Sequence, residues 1–159
     1  MRRLVLSAVS LAFLAACQPA TTELTEEQKA GIADTVTRIV RGIMEAAEAL
    51  DHEKHIAPFS DELVSADNGS VTTNWDSIRV ADREFMRSMS SVEGTFGEMF
   101  VEVLGPSAAV VTAPYEATLI DTTGTRMHVA GAGTYVFAQV AGRWRIIHMH
   151  RSMPLPQSM

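Results

Sequence analysis

The C-terminal part of the chain divides into four long runs of strand-forming sequence, residues 92–104, 107–121, 126–140 and 143–152, separated by Gly105-Pro106, Thr123-Gly124 and Ala141-Gly142. Connections this short join antiparallel neighbours, so the runs predict a meander. A run of 15 residues laid flat would reach about 50 Å, far beyond an ordinary strand, so these strands must curl around something. Gly94, Gly97, Gly131 and Gly133 supply places where they can bend or bulge.

The filler for the curl lies upstream. TEEQ at 25–28 has the capping-box form, and Ile32, Val36, Ile39, Val40, Ile43, Met44, Ala47 and Leu50 then recur at three- and four-residue steps. That pattern predicts one long helix with a single apolar stripe, ending near Asp51. HEKHIAPFS at 52–60 predicts a short second helix stopped near Pro58. Asp67-Asn68-Gly69-Ser70 predicts a turn between two small strands. Asp76 is expected to cap a third helix over 77–90, with Ile78, Phe85, Met86 and Met89 inward. The fold class expected is α+β: a curled antiparallel sheet wrapped around a long N-terminal helix.

Register decides which side chains face the helix. Thr122-Thr123-Gly124 and Val140-Ala141-Gly142 each read as three-residue loops with glycine in the left-handed position. Those loops pair Leu119 with Met127, Ala117 with Val129, Tyr135 with Ile147 and Phe137 with Arg145. The inward face then carries three rows: Val111, Tyr135, Ile147; Ala113, Gly133, Met149; and Tyr115, Gly131, Arg151. His148 and His150 fall outside. A two-residue Ala141-Gly142 loop would invert the last strand, because a shift of one residue sends every side chain to the other face.

The expected ligand site follows from these rows. Tyr115 and Arg151 stand two strands apart with only Gly131 between them and Gly133 beside it, and the missing side chains leave a hollow. Arg151 can pair a carboxylate bidentately, and Tyr115 or Tyr135 can donate a hydrogen bond, with Met149 as an apolar wall. The alternative is a hollow filled by long side chains from the helices, with Arg151 paired to an acidic helix residue.

The N-terminus carries a different kind of information. Arg2 and Arg3, an apolar stretch from Leu4 to Leu14, and LAAC at 14–17 form a secretory signal too short to span a membrane. The small residues before Cys17 resemble a bacterial lipobox, which implies lipidation of Cys17 and an anchor that does not cross the bilayer. The alternative is an ordinary signal peptide cut nearby with Cys17 incidental. The expected organisation is a signal peptide over 1–16, a lipidated cysteine and tether over 17–24, a folded domain over 25–154 and a tail over 155–159. Cleavage before Cys17 removes Arg2 and Arg3 from the 13 basic residues, leaving 11 against 19 acidic ones, a net charge of −8. This excludes a nucleic-acid surface and restricts membrane contact to the lipid anchor. The localisation expected is the bacterial cell envelope.

Taken together, these residues resemble the nuclear transport factor 2-like superfamily, in particular its SnoaL-like branch and the association (hub) domain of calcium/calmodulin-dependent protein kinase II. The closing GRWRIIHMHRS at 142–152 is similar to that hub domain's final strand at Trp144, His148, His150, Arg151 and Ser152. Ile120-Asp121 also falls at a matching place, and helix order agrees over most of 25–154. The resemblance implies a cone-shaped domain, cystatin-like in architecture, that commonly forms dimers or larger assemblies. It also implies a pocket lined by arginines in the hub domain, where this chain keeps Arg151 and has Tyr115 and Tyr135 at the other two alignable positions. SnoaL-like isomerases and cyclases carry an aspartate or histidine base inside the cone. None stands on the inward rows, which leaves Asp61, Asp67 and Asp82 as candidates from the helices and small strands.

Other clusters add less. HEKH at 52–55 lacks the four-residue histidine spacing of a helical metal site, and His148 with His150 makes only a partial one, so neither a metal nor a cofactor is expected. Val110, Ile120, Val136, Trp144 and Ile146 make the expected outer face more apolar than solvent requires, which predicts a homodimer through it. The function expected is binding of a small anionic or carbonyl-bearing molecule in the cone; the alternatives are a SnoaL-like isomerase or cyclase, and an interaction module with a filled cone.

Overall fold

The computed structural model describes residues 23–154. The expected signal peptide over 1–16, Cys17, most of the expected tether and the expected tail over 155–159 lie outside the described residues. Elements follow the order α1 (Glu26–Glu48), α2 (His52–Ile56), β1 (Phe59–Asp67), β2 (Ser70–Thr72), α3 (Trp75–Ser88), β3 (Met89–Phe96), β4 (Phe100–Gly105), β5 (Ala108–Asp121), β6 (Arg126–Val140) and β7 (Arg143–Ser152). They form the α+β architecture expected from the strand lengths. The strand order is β2-β1-β7-β6-β5-β3, with β4 also pairing β5. The expected run over 92–104 is therefore two strands, broken around Gly97, whose amide donates to the Pro114 carbonyl at 2.9 Å.

The first helix begins at its capping box: Thr25 Oγ1 accepts from the Gln28 amide at 3.2 Å, and the Gln28 side chain accepts from the Thr25 amide at 2.8 Å. Its apolar stripe is buried at Val36, Val40, Ile43, Ala46 and Ala47. Val36, Val40 and Ile43 pack with Leu63, Val111, Tyr135, Phe137, Ile146 and Met149, so the helix fills the concave face of the sheet. A second apolar cluster closes the other stretch of β3 and β5, with Ala47, Met86, Met89, Val92, Ala117 and Leu119.

The third helix differs from its expectation at both ends. Asn74, not Asp76, is the N-cap, accepting from the Ser77 amide at 2.9 Å, and the helix stops at Ser88. Phe85 is exposed rather than inward, while Met86 is buried. Met89 is buried too, but as the first residue of β3.

The β5–β6 register is the one read from the sequence: Leu119 pairs Met127, Ala117 pairs Val129, Tyr115 pairs Gly131 and Val111 pairs Tyr135. Gly124 takes a φ of 89° in the three-residue bend, and Asp121 Oδ1 accepts from the amides of Thr123 and Thr125. The last hairpin corrects its expectation. Val140 pairs directly with Arg143, so the loop has two residues, Ala141 and Gly142, at φ 49° and 75°. Two consecutive positive φ values are the signature of the primed turn that matches strand twist.

That shorter loop turns Trp144 and Ile146 inward, against the expectation that both lie outside; Ile146 is fully buried. A bulge then adds one residue: Phe137 pairs Ile146, but Val136 pairs His148. Beyond it Met149 is inward, Arg151 shares its face, and His148 and His150 lie on the other side. The expected orientation of the strand's end is thus present for a different reason from the one expected. Rows shift by one step: Met149 joins Val111 and Tyr135, and Arg151 joins Ala113 and Gly133.

An alanine in the left-handed conformation is strained, whereas asparagine before glycine suits this turn. Replacing Ala141→Asn should raise the unfolding free energy by about 0.5–1 kcal/mol, read as a higher urea midpoint with unchanged slope. A lower midpoint would contradict the turn assignment.

Candidate functional site

The middles of β5 and β6 and the end of β7 bring the expected residues together. Tyr115 on β5 faces Gly131 on β6, and Gly133 lies between Ala113 and Arg151 of the flanking strands. Glycine is required here by close approach. A Cβ on Gly131 would collide with the Ser152 carbonyl oxygen and stand 2.9 Å from Tyr115 Oη, while one on Gly133 would stand 3.1 Å from Tyr135 Oη. The space left by the glycines is therefore occupied in part by the two phenol rings, not left empty as the sequence suggested. Tyr135 is buried, with Phe96 packed edge-on at 6.3 Å between centroids. Met149 is buried in the row below Arg151.

Arg151 has a partner that the sequence did not reveal. Strand β1 runs parallel to β7 with Asp67 opposite Arg151, and Arg151 Nη2 donates to Asp67 Oδ2 at 2.5 Å. The partner is the last residue of a strand, not an acidic helix residue. Asn68 reinforces this end of the sheet: its amide donates to the Arg151 carbonyl at 3.2 Å, and its side-chain oxygen accepts from the Met153 amide at 2.8 Å. Arg151 Nε is buried without a hydrogen-bond partner. Of the three aspartates considered as bases, Asp67 reaches this site, Asp61 is exposed, and Asp82 lies elsewhere.

Asp82, on α3, faces α2, where it gathers two histidines that the sequence placed only near each other. His52 Nδ1 is 2.8 Å from Asp82 Oδ2, and His55 Nδ1 is 2.9 Å from Oδ1, off the axis of a good hydrogen bond. Burial by itself raises the Asp82 carboxyl, but contacts with His55 and then His52 outweigh it and hold it below the ordinary value. The signal available in sequence was the i, i+3 spacing of His52 and His55, which puts both on one helix face. His148 and His150 are not part of this cluster. No group of three or more His, Cys, Asp or Glu side chains among the described residues has metal-binding geometry.

Two concavities open away from Tyr115, Tyr135 and Arg151. One, of about 680 Å³, lies where the end of α1 and α2 meet the last turns of α3. The other, of about 330 Å³, is edged by Glu48, Glu93, Glu116 and His128.

A curled, open sheet wrapped over one long helix, with polar side chains gathered around Gly131 and Gly133, defines a cone-type α+β domain. A family model for the SnoaL-like domain matches residues 36–156, and the chain belongs to that family. Solved structures agree on the fold. A nuclear transport factor 2-like superfamily protein from Salmonella enterica is 20% identical, covering 82% of this chain and 96% of its own, at a TM-score of 0.72. A protein provisionally assigned as a scytalone dehydratase from Novosphingobium aromaticivorans is 10% identical, covering 82% and 89%, at 0.76. The association domain of C. elegans calcium/calmodulin-dependent protein kinase II is 19% identical, covering 80% and 99%, at 0.66. No curated protein sequence matches the chain significantly.

The chain's two tyrosines are both at this site. Burial pushes Tyr135 up to about 12, against the opposing pull of the Arg151 guanidinium. Burial raises Tyr115 as well, with Arg151 opposing and Asp67 adding to it. Both are neutral donors at physiological pH. Below the unfolded value of 10 both states keep the Tyr135 proton; above it the unfolded chain ionises first. Stability should therefore fall by about 2 kcal/mol as pH rises from 10 to about 12, and Tyr135→Phe should flatten that fall. In native protein, tyrosinate absorbance should appear only above pH 10; half of it titrating earlier would contradict the buried phenol.

Proposed function

We propose that this SnoaL-like domain is exported, held to the bacterial envelope by lipid on Cys17, and binds a small anionic or carbonyl-bearing molecule between Tyr115 and Arg151. The observation that carries the reading is the convergence of two neutral phenols and a guanidinium on Gly131 and Gly133, with Met149 buried beneath. The guanidinium can only donate and both phenols can donate, so a ligand that presents acceptors suits all three. Catalysis is not part of the proposal. An isomerase, cyclase or dehydratase needs a free base, and Asp67, the carboxylate brought to this end, is already engaged by Arg151. Native mass spectrometry of protein purified from its own host should find a retained small molecule. Arg151→Ala should lose it by about tenfold or more in affinity; equal retention by the variant would remove the site.

The same reading includes a homodimer through the outer sheet face. With Trp144 and Ile146 turned inward, that face is centred on Val110 and Val136 and extended by Phe100 and Leu104, which are 62% and 59% exposed. Exposed aromatic and aliphatic side chains beside a paired apolar row favour self-association. Light scattering at micromolar concentration should give twice the chain mass, and the double substitution Phe100→Asp with Leu104→Asp should halve it. A monomeric wild type would end this part of the proposal.

A further inference from the structure

The larger concavity has the ingredients of a second binding site. Its floor is apolar: Met86 and Met89 are buried, and Leu50 lies beside them. Leu50 closes α1 with a φ of 51°, a left-handed position that glycine would normally occupy. Its amide donates to the Ala47 carbonyl and that of Asp51 to the Ala46 carbonyl, so the turn keeps its hydrogen bonds while leucine bears the strain. Arg83 and Arg87 stand at the edge. Arg87 has no carboxylate within ion-pair distance among the described residues.

Between the guanidinium and the imidazole lies the chain's own carboxylate. Glu53 Oε1 is 3.6 Å from Arg83 Nη2 and 3.8 Å from His52 Nε2, longer than hydrogen bonds, and the Glu53 side chain is 74% exposed. His52 is held from behind by Asp82 through Nδ1, and its Nε2 is buried without a hydrogen-bond partner. A buried polar atom left unsatisfied is costly, and here the nearest acceptor stands just out of range. Glu53 therefore marks a place where a carboxylate stands between a guanidinium and an unsatisfied imidazole nitrogen but is loosely held.

We propose that this cleft binds a small aliphatic carboxylate, whose charged group displaces Glu53 from between Arg83 and His52 while its chain lies on Leu50, Met86 and Met89. His52 would then face a carboxylate at each ring nitrogen, Asp82 at Nδ1 and the ligand at Nε2, an arrangement that suits an imidazolium, which donates through both. Arg83 supplies a charge-assisted hydrogen bond once released from Glu53. The site is separate from the tyrosine pair and does not depend on it.

Octanoate is a suitable probe, with octanol as its uncharged counterpart. Titrated into the intact domain, octanoate should shift the His52 ring resonances saturably in histidine NMR spectra, and octanol should not. Arg83→Gln should weaken octanoate about tenfold or more. Glu53→Gln, a change at an exposed position that leaves the fold intact, should tighten it about threefold by removing the internal competitor. Arg151→Ala should leave the His52 response unchanged, which separates this site from the one proposed above. Octanol binding as well as octanoate, or Glu53→Gln leaving affinity the same or lower, would overturn the proposal.

Discussion

The seating of α1 in the curled sheet sets the terms for everything else. Val36 and Val40 are fully buried against a surface that includes Val111, Phe137 and Ile146, also fully buried. Each such side chain contributes about 1.5–3 kcal/mol when removed from water, and none has a polar atom that another arrangement would satisfy. Positions along β5, β6 and β7 must therefore keep their apolar members inward. On β7 two of these members, Ile146 and Met149, are three residues apart, an odd spacing that a regular strand cannot place on one face. The bulge at Ile147 reconciles them. The packing that holds the helix thus also decides that Arg151 ends up on the inner face with Met149, and the histidines on the outer one.

That dependence explains which parts of the register could be read beforehand. The β5–β6 bend has glycine where a three-residue loop needs it and Asp121 to hold the loop amides, so local chemistry determines the pairing. At the β6–β7 bend the same glycine serves a two-residue turn, because Ala141 accepts a left-handed conformation that alanine disfavours. Nothing local distinguishes the two. The decision comes from burying Trp144 and Ile146, a tertiary effect, and the bulge then offsets the error for residues beyond it. The orientation of Arg151 was legible only because two departures cancel.

The partners of the site were less legible than its members. Tyr115, Gly131 and Gly133 are placed by one hairpin, whose pairing follows from its turn. Asp67 reaches Arg151 through a parallel pairing of β1 with β7, across a sequence separation of 84. His52 meets Asp82 through the packing of α2 on α3, across a separation of 30. Such pairings leave no periodic trace, since a single charged residue at a strand end or on a helix face reads as solvated until its neighbour is known.

The two guanidinium–carboxylate contacts differ in a way that bears on what each end of the molecule can accept. Arg151 and Asp67 meet at 2.5 Å, while Arg83 and Glu53 meet at 3.6 Å with the carboxylate largely in solvent. An exposed, loosely held pair contributes little and yields readily to a competing anion. The Arg151–Asp67 pair is closer and its carboxylate is less exposed, 34% against 74%, on strands that Asn68 ties together through hydrogen bonds to the backbone, so it is the tighter of the two. A molecule reaching Arg151 therefore arrives beside a charge already balanced, and a second carboxylate there would face Asp67 across a short gap. Neutral acceptors such as carbonyl oxygens escape that repulsion and still take hydrogen bonds from the two phenols and the remaining guanidinium donors. On the proposed reading, the ion pair favours neutral carbonyl acceptors over free anions at the tyrosine site, and the loose pair at the helix junction favours anions in the other cleft.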